Sequence, residues 1–313
     1  MQISQKVDSR LAIAIFSSIP TVSSFNENTL KIGVAIVTGT SSLSPPLRHP
    51  FQSMVDTATE QKLLAGLERL REAISAGQDG GWTAIERFTD FASRVEPHIG
   101  ERIIDDNPHL LDDWRSVAPL YASYMQDKER DSAGSGWSFL AGPGAERYDE
   151  FADQSYRRVK DMFDVVDFSS CRRFVMVGCG PLPVTILHVL AKTDVPSVVG
   201  LDVNSATIET VRTNIKRLDL KRFRALHADG GTYSYESADV IYVANLVSPK
   251  AATLTRIAES ARSGTPVIVR EPISFGRLIA DRGLDACGEL FMLRSVGIGN
   301  KRFLSRHVFS ECY

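Results

Sequence analysis

The sequence predicts an α/β fold, a parallel sheet with crossover helices on both faces, preceded by an N-terminal all-α cap. Three observations predict it. From Arg173 onward, short apolar runs alternate with stretches of helical period, which is the signature of strand–helix–strand crossovers. The first of these runs, Phe174-Val-Met-Val, leads straight into a glycine turn and then into a helix. Before about residue 168 the chain shows helical periodicity and no strand-like alternation.

The helical part starts near Asp56. Thr57-x-x-Glu60 reads as a capping box. Leu63, Leu64, Leu67, Leu70 and Ile74 then recur at helical spacing until Gly77. Trp82, Ile85, Phe88, Phe91, Ala92 and Val95 mark a second amphipathic helix, stopped by Pro97. Further helices are expected around 103–104 and 110–125, with breaks at Pro108 and Pro119. The glycines of 131–145 suggest a flexible connector or lid, and 146–166 reads as helix again.

In the second part, strands are expected at 174–177, 198–201, 225–227, 240–244 and 267–269. Helices are expected at 183–192, 205–217, 249–262 and 276–283. Apolar stretches at 290–296 and 303–309, with a turn-like gap between them, read as a closing antiparallel pair. Five parallel strands plus such a hairpin is the seven-stranded, Rossmann-like arrangement of class I methyltransferases rather than the sheet of NAD enzymes.

The first unit of the sheet has the form of a nucleoside site. Gly178 and Gly180 allow a tight turn and close approach of a ligand. Asp202 closes the second strand, where a carboxylate accepts ribose hydroxyls. Asp229, after the third strand, is placed for an adenine amino group, or alternatively caps a turn. Asn245 and Ser248, after the fourth strand, lie at the carboxyl edge where open α/β sheets bind ligands. NAD requires backbone N–H groups facing a pyrophosphate. Pro181 and Pro183 remove donors from that turn. A phosphate-free adenosyl sulfonium loses nothing by this, so the expected ligand is S-adenosylmethionine. The cofactor-binding set is Gly178, Gly180, Pro181, Asp202, Val203, Asp229 and Asn245.

These residues carry a family likeness. Gly178-Cys-Gly-Pro-Leu-Pro-Val-Thr-Ile-Leu-His-Val-Leu-Ala191 resembles the GxGPLPLT…VLA segment of nicotianamine synthases. Met176 stands where class I methyltransferases usually carry an acid, and the nicotianamine synthase pattern is also apolar there. Asp239-Val-Ile-Tyr-Val-Ala-Asn-Leu-Val-Ser248 is similar to that family's DVVFLAALVG run, and Val267-Ile-Val-Arg270 with Gly276-Arg277 to its LMLRSAxGxR run. The likeness covers about residues 174–277; no motif of the helical half matches residue by residue. It implies an enzyme that transfers the 3-amino-3-carboxypropyl group of S-adenosylmethionine and releases methylthioadenosine. In the related azetidine-2-carboxylate synthases the cofactor's own amine closes a four-membered ring. The rivals are a small-molecule methyltransferase and a non-catalytic adenosyl-binding module. The absence of a recognisable acidic second cleft leans the reading toward ring closure.

Such chemistry needs a neutral amine in line with Cγ, and a carboxylate or tyrosine to manage its proton. Tyr148 and Tyr156, on the helix before the first strand, are the expected catalytic residues together with Asn245 and Ser248. Glu146 and Glu150 are candidate bases, though they also suit a solvated helix face. Trp137 and Phe139 in the connector could close over the sulfonium by cation–π attraction. Arg270 could pair with a carboxylate. Tyr242, His227 and His307 read as structural, and Cys179 as a small filler of the turn.

Composition sets the outer limits. A chain of 313 residues with 43% hydrophobic and 24% charged residues is ordinary for a soluble protein. The net charge of −2 argues against nucleic acid as partner. Four dispersed cysteines show neither zinc spacing nor a disulfide framework, so no metal is expected and a reducing cytoplasm fits. No apolar run reaches the roughly 20 residues of a membrane helix. The expected partner is a small-molecule substrate, with a homodimer left open. Residues 1–53 are expected to be a disordered extension; the alternative is an export signal, since 11–16 is apolar and follows Lys6 and Arg10. The expected domains are thus 54–168, the helical cap, and 169–313, the ligand-binding part.

Overall fold

Residues 57–77, 81–141, 156, 159–297 and 304–313 are described by the structure, a computed structural model. The expected extension over 1–53 lies outside the described residues.

Seven strands form one sheet: β1 (Arg173–Val177), β2 (Ser197–Asp202), β3 (Phe223–His227), β4 (Val240–Val243), β5 (Pro266–Pro272), β6 (Phe291–Val296) and β7 (Ser305–Cys312). Their order is β3-β2-β1-β4-β5-β7-β6. The first five are parallel, and β7 inserts antiparallel between β5 and β6. This is the seven-stranded arrangement expected from the alternating apolar runs.

Strand β4 and most of β1, β2 and β5 are apolar because both faces are covered there, while the edge strands β3 and β6 expose residues to solvent. Phe174, Met176, Val198, Val240, Tyr242 and Ile268 point into one core. Val175, Val177, Val199, Leu201, Ile241, Val243, Val267 and Val269 point into the other. This alternation is the two-residue period of a strand, with both phases buried.

Helices α1 (Thr57–Ser75), α2 (Trp82–Arg94), α3 (Pro97–Asp106), α4 (His109–Asp113) and α5 (Val117–Ala141) build a layer with its own core. Phe88, Trp114, Ile103 and Ile104 are fully buried in it. That core is completed from the other half: Phe275, Leu278, Ile279 and Leu304 are members of it, and Phe275 stacks on Phe91. Glu101 of α3 accepts from the Ser274 backbone amide, Arg277 and Arg282 together. Gly100 meets the Ser274 side chain so closely that a Cβ there would collide with it. After α6 (Lys160–Val165) comes β1; α7 (Val184–Lys192), α8 (Ser205–Arg217) and α9 (Lys250–Ser260) are the crossovers.

Three expectations are corrected. The connector expected from 131 is helix as far as Ala141, the end of α5. Gly134 and Gly136 each cost about 1 kcal/mol against alanine in a helix, too little to end one. Pro119 does not break α5, because it lies in the first turn, where backbone N–H groups have no intrahelical acceptor. The helix expected over 276–283 is a 3₁₀ turn, Ser274–Leu278, followed by the short α10 (Leu284–Cys287). There Phe275, Leu278 and Ile279 fold away into the helical layer, and Gly276 lies against the Leu304 carbonyl. Among the described residues, no helix is long and apolar enough to cross a membrane.

Candidate active site at the carboxyl edge

The glycine turn between β1 and α7 is pinned to β2. Gly178 and Gly180 have φ of 73° and 67°, the left-handed region that favours glycine. The amides of Gly178 and Cys179 both donate to the Leu201 carbonyl, at 2.9 and 3.0 Å. A Cβ on Gly178 would lie 2.7 Å from Val247 Cγ2, so the exits of β1 and β4 touch. Pro183 precedes the first residue of α7, so neither residue 181 nor 183 offers an N–H at the turn.

Asp202 stands at the centre of this edge and is only 8% exposed. Its Oδ2 accepts from Gly180 N and its Oδ1 from Asn204 N, both at 3.0 Å. Asn204 caps α8 through Ala206 and Thr207, and its Nδ2 donates to Gln126 of α5 at 3.1 Å. Helix α5 is thereby tied across the carboxyl edge. One turn further along it, Glu129 lies on the glycine turn: a Cβ on Gly180 would come within 2.5 Å of Glu129 Oε2. Both carboxylates act on Cys179. Burial first, then Asp202 and Glu129, push its thiol well above the ordinary range, so it is no nucleophile.

The other expected residues divide into two groups. Val203 is 66% exposed at the exit of β2, and its carbonyl is bonded to His227 Nε2 at the exit of β3. Asp229 is exposed at the exit of β3, its Oδ1 accepting from Gly231 N at 2.8 Å. Asn245 lies just past β4, and its Oδ1 is buried without a hydrogen-bond partner. These three, with Gly178, Gly180, Pro181 and Asp202, line one carboxyl edge. Ser248 turns outward and donates to Asp281 at 2.7 Å. Tyr156 packs along the flank of α7, 5.3 Å from the His188 ring and under the Lys192 ammonium, one and two turns beyond the glycine turn. Tyr148, Glu146 and Glu150 lie outside the described residues, as do the side chains of Trp137 and Phe139. Arg270 donates to Ser305 Oγ at 2.5 Å, and Tyr242 is bonded to His307.

Sequence reading missed Glu129 and Gln126. The signal was present: Gln126, Glu129 and Ala133 share one helical face, and Ala133 is buried in the core beneath α7. Among the described residues, no group of three or more His, Cys, Asp or Glu could hold a metal ion.

No protein-family model matches the sequence, and a comparison with curated proteins returns no match. Solved structures do match. A single-residue mutant of MtNAS in complex with S-adenosylmethionine superposes with a TM-score of 0.64 at 16% identity, covering 79% of this chain and 97% of that one. MtNAS in complex with MTA and tNA gives 0.61 at 18%, covering 82% and 97%. The fold is that of MtNAS, a nicotianamine synthase. The MtNAS-like fold is the seven-stranded class I arrangement expected from the sequence.

Proposed function

We propose that this chain is an S-adenosylmethionine-dependent enzyme that uses the 3-amino-3-carboxypropyl group. It acts by cyclisation to azetidine-2-carboxylate or by transfer to an amine acceptor, and releases methylthioadenosine. The observation that carries this reading is the position of Glu129 over Gly180, beside Asp202. The strand order β3-β2-β1-β4 supplies the layout. Adenine would lie at the exits of β3 and β2, against Asp229 and the exposed Val203, and the ribose at Asp202. The amino-acid arm would then cross the end of β1 toward Asn245, whose unpartnered Oδ1 suits an ammonium or amine donor. Glu129 stands over the middle of that path, where the sulfonium and Cγ would be.

Two carboxylates at this edge, Asp202 buried and Glu129 half-buried, favour a cationic ligand and disfavour a pyrophosphate. This supports the sulfonium over a dinucleotide, as the prolines of the turn do. The reaction needs one proton removed from an amine. In the proposed step the amine nitrogen bonds to Cγ, the Cγ–S bond breaks, its electron pair stays on sulfur, and Glu129 takes the proton. An amine already held by Asn245 close to its own Cγ leans the reading to ring closure, since the nucleophile is then part of the same molecule.

The test is to incubate purified protein with S-adenosylmethionine alone and read the products by mass spectrometry. Methylthioadenosine with a cyclic amino acid supports ring closure. Methylthioadenosine formed only with an added amine supports transfer. S-adenosylhomocysteine as the product would replace this reading with methyl transfer.

A further inference from the structure

A cavity of about 270 Å³ opens on the face of the sheet over β5, β7 and β6, and shares no residue with the glycine-turn site. Its charged lining comprises Glu271 and Arg306, which face each other in the β5–β7 register, and the ion pair of Arg282 with Asp285. Its walls are Leu284, Phe291, Leu293 and Val308. Glu271 is 4% exposed. Its Oε1 accepts from the amides of Gly283 and Leu284, at 3.1 and 3.3 Å, while its Oε2 is buried without a hydrogen-bond partner. Arg306 Nε is likewise buried without one.

The neighbouring cations make their hydrogen bonds to other groups, although the Lys250 charge also acts on Glu271. Lys250 Nζ donates to the Arg270 and Asp281 carbonyls, and Arg282 donates to Glu101. A buried polar atom with no partner costs roughly 1–3 kcal/mol, and more if charged. Here one acceptor and one donor on adjacent strands are left unmet together, just beneath the lining of the chamber. A ligand that meets both must offer a donor to Glu271 and an acceptor to Arg306, and an ammonium and a carboxylate followed by an apolar group do so with matching charge. The cavity is smaller than the roughly 300–1,000 Å³ that hold drug-sized ligands, which limits the occupant to about a single residue.

We propose that this cavity is a second site, which binds a free α-amino acid with an apolar side chain. The ammonium meets Glu271, the carboxylate meets Arg306, and the side chain lies among Leu284, Phe291, Leu293 and Val308. The site stands independently of the chemistry at the glycine turn.

The probes are leucine, valine and phenylalanine, titrated into the full chain by calorimetry, alone and with saturating S-adenosylmethionine. Leucine methyl ester and 4-methylpentanoate, which lack one charge each, are the controls. One equivalent of at least one free amino acid is expected to bind, and each control to bind at least about tenfold more weakly. Arg306→Gln is expected to weaken binding by a similar factor. Leu293→Trp, at a half-exposed wall position, blocks the mouth without touching the buried pair and is expected to abolish it. Failure of all three amino acids to bind, binding that both variants leave intact, or displacement by S-adenosylmethionine would each overturn the assignment. A catalytically silent protein that still binds leucine would retain this site and lose only the proposed reaction.

Discussion

Glu129 and Gly180 compete for the same space: a side chain on Gly180 would begin 2.5 Å from the Glu129 carboxylate oxygen. The glycine is needed for its positive φ; the contact with Glu129 involves the far end of a flexible side chain, which can swing aside. The pairing also fixes how close α5 comes to the carboxyl edge. Gln126, one turn earlier, holds the same helix to Asn204.

Gly180→Ala tests the turn and its contact with Glu129. The left-handed backbone costs an L-residue about 1–2 kcal/mol, and the methyl group must also displace Glu129. Chemical denaturation is expected to show a loss close to the backbone cost alone, because only the flexible end of Glu129 has to move. In a Glu129→Ala background the same substitution should cost only the backbone part. A much larger loss with Glu129 present would show that its carboxylate is held in place and cannot swing aside.

Glu129→Gln keeps the shape of the side chain and removes the base. The expected result is a fall in kcat of about 10²–10⁴-fold with a much smaller change in KM, since the group is assigned to proton transfer rather than to holding the adenosine. The limb of the pH–rate profile that reports an essential base should disappear with it. A variant that retains wild-type turnover would remove Glu129 from the proposed mechanism.

Asp202 combines a structural and a binding role. Its carboxylate already accepts two backbone amides, so Asp202→Ala strands both. A loss of about 1–3 kcal/mol in stability is expected, together with a fall in S-adenosylmethionine affinity of about tenfold or more. Asp202→Asn keeps one oxygen and its shape, and should lose affinity with a smaller loss of stability. Urea unfolding and calorimetry on the two variants measure these separately. Unchanged affinity in Asp202→Asn would end the ribose assignment.

How far these features were legible in the sequence follows from their range. The sheet was readable because its inner strands are short apolar runs buried on both faces, and the turn because Gly178, Gly180 and the prolines act locally. Asp202, Val203, Asp229 and Asn245 were readable because the carboxyl edge of a parallel sheet follows from strand order. Glu129 was not, because its partner is Gly180, on the far side of the first strand. Glycines at 134 and 136 also made the end of α5 look like a connector. The role of Phe275 in the helical core was equally hidden: it depends on which layer covers the segment after β5, and no local period records that. Tyr156 had the right helix character, but its packing against His188 is a property of the assembled core.

Lys250 offers a test of the buried polar cluster beneath the second cavity. It is fully buried, and its ammonium donates to Arg270 O at 2.9 Å and Asp281 O at 2.7 Å. Burial pulls its pKa down from the ordinary 10.5 to about 8, against the raising pull of Glu271 and Asp281. Between about pH 8 and 10.5 the unfolded chain still holds a proton on this lysine that the folded chain has released. The unfolded state binds more protons there, so this group makes stability rise with pH across that window. The full effect is about 3 kcal/mol at most. Lys250→Met removes the titration while leaving every other lysine, cysteine and tyrosine in place. The stability of the wild type minus that of the variant is therefore expected to grow from pH 8 to pH 10 in denaturant titrations. A difference that stays flat across this range would show that the Lys250 ammonium is as comfortable inside the protein as in water.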